Sequence, residues 1–161
     1  MNLTSPLKWM TIFNRDMEAS LALYRDILGF TVIEDKLISG PAMANMIGLE
    51  DCSMHICHLQ AQESEDGLIG LYCVQNPKPA LPEMTVPDKT TVAYGATSVV
   101  VSSNHGKEIY AKLQGNYEFV TEPMEYVKAE DSEYMKAGRY TEMIFRDPDG
   151  VMVSVIGYEP L

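Results

Sequence analysis

The sequence predicts an α+β fold of two tandem βαβββ modules, and three observations carry that expectation. An amphipathic helix follows a short apolar strand near the start, the same order of elements recurs after a proline-rich stretch, and the chain closes on two strands joined by an Asp-Pro-Asp-Gly turn. At 161 residues, 46% hydrophobic and 22% charged, the chain suits one globular domain over 1–161 that buries a sizeable core.

Residues 8–14 (KWMTIFN) are rich in large apolar side chains and end at Arg15-Asp16, which reads as a strand running into a helix cap. Met17, Leu21, Tyr24 and Leu28 then recur at helical spacing, Asp16 can accept the free amides of the first turn, and Gly29 supplies the left-handed stop. Thr31 to Glu34 is short and β-branched, so a second strand is expected, followed by a brief helical turn or loop from Gly40-Pro41 to Gly48. Strands at Ser53–Gln60 and Leu68–Val74 flank the polar loop Gln62–Gly67 and complete the first module, about 7–75.

Segment 75–91 holds four prolines and little periodicity, which marks a linker. The second module, about 92–158, starts with a strand at Ala96–Ser102 and a helix from about His105 to Gln114, with Asn104 as its cap and Gly115 as its stop. A strand at Glu118–Thr121 follows, and strands Tyr140–Arg146 and Val151–Gly157 close the chain around the turn Asp147–Gly150. Asp16 corresponds to Ser103 and Gly29 to Gly115, each about 86 to 87 residues on. Repetition of element order implies two similar modules side by side around a shared concave face.

Charge and cysteine usage exclude several functions. A net charge of -11 repels nucleic acid and anionic lipid, so neither is an expected partner, although a cationic small molecule would be attracted. No apolar stretch is long enough for a membrane span and the start lacks a signal-peptide pattern, which predicts a cytoplasmic protein. Cys52, Cys57 and Cys73 form no Cys-x-x-Cys pair and read as buried, reduced thiols.

The run Arg15-Asp16-Met17-Glu18-Ala19-Ser20-Leu21-Ala22-Leu23-Tyr24-Arg25-Asp26-Ile27-Leu28-Gly29-Phe30 closely resembles the first-helix signature of vicinal-oxygen-chelate proteins, the glyoxalase, bleomycin-resistance and extradiol dioxygenase-like superfamily. Ile144-Phe145-Arg146-Asp147-Pro148-Asp149-Gly150-Val151-Met152-Val153-Ser154-Val155 is similar to its closing hairpin, about 120 residues further on. The resemblance implies a cup-shaped, partly open β-barrel with helices outside, commonly supported by a homodimer. Segment Met124–Arg139 is longer than the family's usual connection and is expected to form a loop or lid, or else an exposed insertion.

Metal-dependent members take ligands from the first and last strand of each module. Carried over by motif spacing, those positions are Trp9, Gly70, Ala96 and Ser154, with Leu71 as the alternative if Gly70 is displaced by one residue. None is a good ligand for iron, nickel, zinc or manganese, so no metal and no cofactor is expected.

Two function classes remain. The first is metal-independent binding of a small organic molecule, of the sequestration or carrier type, in a cup lined by Trp9, Gly70, Ala96 and Ser154. Apart from the resemblance, Trp9 reads as a core residue. The second class is a metal-free isomerase, epimerase or lyase using side-chain acid–base catalysis next to a carbonyl. His55 and His58 lie on opposite faces of one strand; placing Met54 and Ile56 under the helix turns His55 and Cys57 to the cup, with His55 as a candidate acid or base. Tyr140, Glu142 and Ile144 alternate onto the cup face of the opposite module, where Glu142 would act as a base or hold a cationic ligand. His105, at a helix start, reads as a surface residue.

Overall fold

The computed structural model describes residues 7–62, 67–76 and 94–161. The chain divides into two compact units, Met1–Glu83 and Met84–Leu161. Residues 77–91 of the expected linker lie outside the described residues, while Gln75 and Asn76 extend the preceding strand.

The first unit runs β1 (Trp9–Phe13), α1 (Met17–Leu21), β2 (Thr31–Ser39), α2 (Pro41–Met46), β3 (Ser53–Gln60) and β4 (Leu68–Asn76). Asp16 caps α1 as the sequence predicts, its Oδ1 accepting the Ala19 amide at 3.2 Å. Past Leu21 the helix widens into a π-type stretch, Ala22–Ile27, in which the Leu28 amide reaches the Leu23 carbonyl at 2.9 Å. Gly29 ends it at φ +79°, a conformation that strains any residue with a side chain. Met17, Leu21, Leu23 and Tyr24 are buried, so the apolar spacing is the packed face.

The sheet order is β1-β4-β3-β2, with β1 parallel to β4 and the other pairs antiparallel. Alternation along each strand sorts the side chains onto two faces. Cys73 donates to the Arg15 carbonyl at the start of α1, 3.7 Å away, so Cys73, Leu71, Cys57 and Leu59 form the face under α1. The ladder places Trp9, Thr11, Phe13, Gly70, Tyr72, His58 and Glu34 on the other face. One end of that second face is closed by α2, where Ala44 and Cys52 pack with Met54, Ile56 and Val74.

The second unit repeats the topology with β5 (Ser98–Ser102), α3 (Gly106–Leu113), β6 (Phe119–Lys128), β7 (Gly138–Arg146) and β8 (Met152–Glu159), in the order β5-β8-β7-β6 with β5 parallel to β8. Ile109 and Leu113 of α3 are buried, as are Met143, Phe145, Val153 and Val155 of the sheet. The rings of Tyr117 and Phe119 pack on Phe145 with centroids 6.0 and 5.9 Å away. The predicted turn forms, with Asp147 Oδ1 accepting the Asp149 and Val151 amides at 2.9 and 2.8 Å and Gly150 at φ +92°. All three cysteines are free and buried, and no helix of the described residues is long and apolar enough to cross a membrane.

Four local expectations are corrected. Segment Met124–Arg139 is strand at both ends, where β6 and β7 stay paired from Met124↔Glu142 to Lys128↔Gly138, and the expected loop is confined to the mostly exposed residues 129–137. Pro123 does not break β6, since β6 is an edge strand and a register shift between Thr121 and Met124 takes up the missing donor. Strand β2 runs on to Ser39 rather than stopping at Glu34, because an edge strand tolerates the charges of Glu34, Asp35 and Lys36. Asn104 does not cap α3; the Ser103 hydroxyl accepts the His105 amide at 3.1 Å, and the helix opens at Gly106. Finally, Trp9 and Ser98 open equivalent strands and Met17 and Gly106 equivalent helices, so the position matching Trp9 is Ser98, and Ala96 lies exposed ahead of β5. The Gly29-to-Gly115 spacing is shorter because α3 lacks the π-type stretch.

Asp16→Ala is expected to lower stability by about 1 kcal/mol, while Asn104→Ala changes it by less than about 0.5 kcal/mol. Urea denaturation of the two variants against wild type checks the assignment of the caps.

Candidate functional site

On the face of the first sheet turned away from α1, an imidazole sits at the centre of a ring of aromatic and polar groups. His58 Nδ1 lies 2.6 Å from Glu34 Oε2 and its Nε2 3.2 Å from the Tyr72 hydroxyl. An ionised carboxylate can only accept, so Nδ1 carries the proton, and the Nε2 of the neutral ring accepts from Tyr72. Glu34 is held below the usual carboxylate range, first by the hydrogen bond from Lys36 Nζ and then by His58, which keeps it ionised. Trp9 meets His58 edge-on with centroids 5.2 Å apart, and Phe13 packs on Tyr72 at 5.9 Å. Trp9 is 43% exposed and Phe13 49%, so neither is a core residue of the chain.

Gly70 makes this arrangement possible. A Cβ added there would stand 2.8 Å from Tyr72 Cε1 and 3.3 Å from His58 Cδ2, so the two rings close over the place a side chain would take. The metal-ligand positions implied by the family resemblance therefore do not fit a metal. Trp9 presents an indole, Gly70 has no room for a donor, and the Ser154 hydroxyl is spent on Glu142 at 2.8 Å. Ser98, which takes the strand position expected for Ala96, offers only a neutral hydroxyl.

In the second unit Tyr140, Glu142, Ile144 and Ser154 share the face turned away from α3. Glu142 is half-buried and bonded by two neutral hydroxyls, Ser154 on Oε1 at 2.8 Å and Tyr126 on Oε2 at 3.3 Å. Tyr126 stacks on Tyr140 at 5.4 Å with an interplanar angle of 13°, and Tyr158 continues the row 5.1 Å beyond. Burial and then the charge of Glu142 push the Tyr126 phenol above its ordinary value.

His55 and Cys57 stand elsewhere, on the face under α1. His55 Nε2 bonds Asp35 Oδ1 at 2.7 Å and lies 3.6 Å from Cys57 Sγ. A cavity of about 280 Å³ beside His55 is lined by Arg15 to Glu18 and Cys73. Burial, followed by the Asp35 charge, raises the Cys57 thiol from 9.0 to about 11. The expected register of β3 is thus reversed: the histidine sharing a face with Trp9 and Gly70 is His58. Met54 and Ile56 do lie under a helix, but the helix is α2 rather than α1. Glu34, Tyr72 and Tyr126 were given no role from sequence, and His58 was weighed there but turned away from the cup; the pairing of Glu34 with His58 and of His58 with Gly70 follows only from the register.

A sequence model of the Glyoxalase/Bleomycin resistance protein/Dioxygenase superfamily matches residues 7–155, and the chain belongs to that superfamily. A search of curated proteins returns no match. Among solved structures, a glyoxalase family protein of Bacillus cereus aligns at 15% identity and TM-score 0.74, over 98% of this chain and 96% of that one. The trypanothione-dependent glyoxalase I of Leishmania major aligns at 13% identity and TM-score 0.57, over 96% and 87%. TnmS3, an antibiotic-binding protein from Streptomyces sp. CB03234, aligns at 14% identity and TM-score 0.50, over 99% and 100%. At these identities the structures establish a shared fold.

Gly70→Ala is expected to cost about 1–3 kcal/mol through overpacking against Tyr72 and His58, read by chemical denaturation. Because Cys57, Tyr117 and Tyr126 all hold their protons more tightly when folded, the unfolded chain ionises first, and stability falls as pH rises from about 9 through 11. Denaturation midpoints between pH 7 and 11 check this; Cys57→Ser should flatten the part of the fall that begins near pH 9.

Proposed function

We propose that this chain binds a small organic molecule without a metal, as a sequestering or carrier protein, using the aromatic faces turned away from α1 and α3. The observation that carries the reading is the closure of His58 and Tyr72 over Gly70, which replaces a ligand position by an aromatic wall. Trp9, Phe13 and Tyr72 in one unit, and the row Tyr126, Tyr140 and Tyr158 in the other, offer flat surfaces on which planar ligands stack. Glu142, bonded only to hydroxyls in the described contacts, favours a ligand bearing a cationic amine, in keeping with the net charge of -11. TnmS3 supports binding of an organic molecule as a use of this fold. The proposed protein works in the cytoplasm and as a homodimer.

A second reading has its own support in the Glu34–His58–Tyr72 chain, in which a carboxylate orients an imidazole and the imidazole meets a phenol. Such a chain suits proton transfer next to a carbonyl, with His58 rather than His55 as the base.

Trp9 is the single tryptophan, so its fluorescence reports on the first face without ambiguity. Titration with planar aromatic amines and their neutral counterparts should show quenching that survives EDTA, with Tyr72→Ala weakening binding about tenfold or more. Binding that appears only with added metal would overturn the proposal. Deuterium exchange at the carbon next to the carbonyl of a bound ketone, lost in His58→Ala, would instead favour the enzyme.

A further inference from the structure

We propose that Asp35, His55 and Cys57 form a binding site for Zn²⁺ on the face of the first sheet under α1, away from the aromatic face. Asp35 Oδ1, His55 Nε2 and Cys57 Sγ are mutually close, all three donor atoms lying within 4.8 Å of one another. The ladder sets this up: Asp35 pairs directly with Cys57 across β2 and β3, and His55 stands two residues along on the same face. The positions are therefore fixed by backbone pairing rather than by flexible loops.

The contacts converge in a way that separates this cluster from a proton relay. A relay would put the carboxylate on one imidazole nitrogen and the thiol on the other. Here Asp35 Oδ1 at 2.7 Å and Cys57 Sγ at 3.6 Å both approach His55 Nε2. Three donors facing one point is the geometry of a chelate. Zinc bonds of 2.0 to 2.3 Å in a tetrahedron set donors about 3.3 to 3.8 Å apart, so the thiol already has its spacing and Asp35 must withdraw by less than about 1 Å. The mixture of one carboxylate, one imidazole and one thiol suits a borderline ion and excludes Mg²⁺ and Ca²⁺, which take oxygen. Cys57 is buried, while the His55 and Asp35 side chains are 24% and 59% exposed, so the fourth position opens to solvent. Binding at Nε2 leaves the imidazole proton on Nδ1 and releases the thiol proton of Cys57 to solvent.

The test is titration of the chelator-stripped, full-length protein with Co²⁺ alone, followed by Zn²⁺. The expected result is one equivalent of Co²⁺ with a near-ultraviolet thiolate-to-cobalt band and tetrahedral visible bands, all displaced by Zn²⁺. Cys57→Ser should abolish the thiolate band, Asp35→Asn should weaken binding tenfold or more, and His105→Ala should change nothing. Asp35 is exposed, so Asp35→Asn keeps the test decisive if Cys57→Ser fails to fold. A missing thiolate band, a band that persists in folded Cys57→Ser, or affinity unmoved by Asp35→Asn would each overturn the proposal.

Discussion

The first unit is organised around a missing side chain. With only hydrogen at Gly70, the imidazole of His58 and the ring of Tyr72 approach closely enough for Nε2 to accept a hydrogen bond from the phenol at 3.2 Å. That approach orients the imidazole, which in turn presents Nδ1 to Glu34 at 2.6 Å and its ring to the edge-on indole of Trp9. A methyl group at position 70 would part the rings, and the hydrogen-bonded chain and the aromatic wall would loosen together. The same absence leaves no side-chain donor at position 70, one of the ligand positions that the family resemblance implies.

Strand parity decides which histidine joins that surface. Because side chains alternate, His55 and His58 cannot share a face, and the choice between them rests on what covers Met54 and Ile56. The sequence supports placing these two apolar residues against a helix, and the structure agrees. It was the identity of the helix that could not be read: Pro41–Met46 is only six residues long, too short to show a periodic stripe. Its packing on Met54, Ile56 and Val74 turns His58 to the aromatic face and leaves His55 and Cys57 under α1.

Local signals of high specificity were legible: the Asp16 cap, the Gly29 stop and the Asp147–Gly150 turn each follow from short-range chemistry present in the residues themselves. Edge strands were harder, since nothing local distinguishes a charged or proline-containing edge from a loop. Strand β2 carries Glu34, Asp35 and Lys36, and β6 carries Pro123; both persist because only one side of an edge strand is paired. Tyr126 was missed in this way, whereas Glu34 lay at the end of an expected strand; both act through a partner on the neighbouring strand, Glu142 in one case and His58 in the other. A cross-strand pair is visible only once register is known.

The two units share one topology and distribute their chemistry differently. Matching ladder positions places Ser154 where the first unit has Gly70, and Ile144 where it has His58. The second unit therefore has no imidazole at its centre, and its carboxylate, Glu142, falls at the position of Ile56. On the faces under the helices the contrast runs the same way: Met143 stands for Cys57 and Thr141 for His55, so the converging donors belong to one unit alone. Repetition of the backbone accounts for the sheets and the order of strands. What each unit can bind is set afterwards, by the few side chains that the pairing register brings opposite one another.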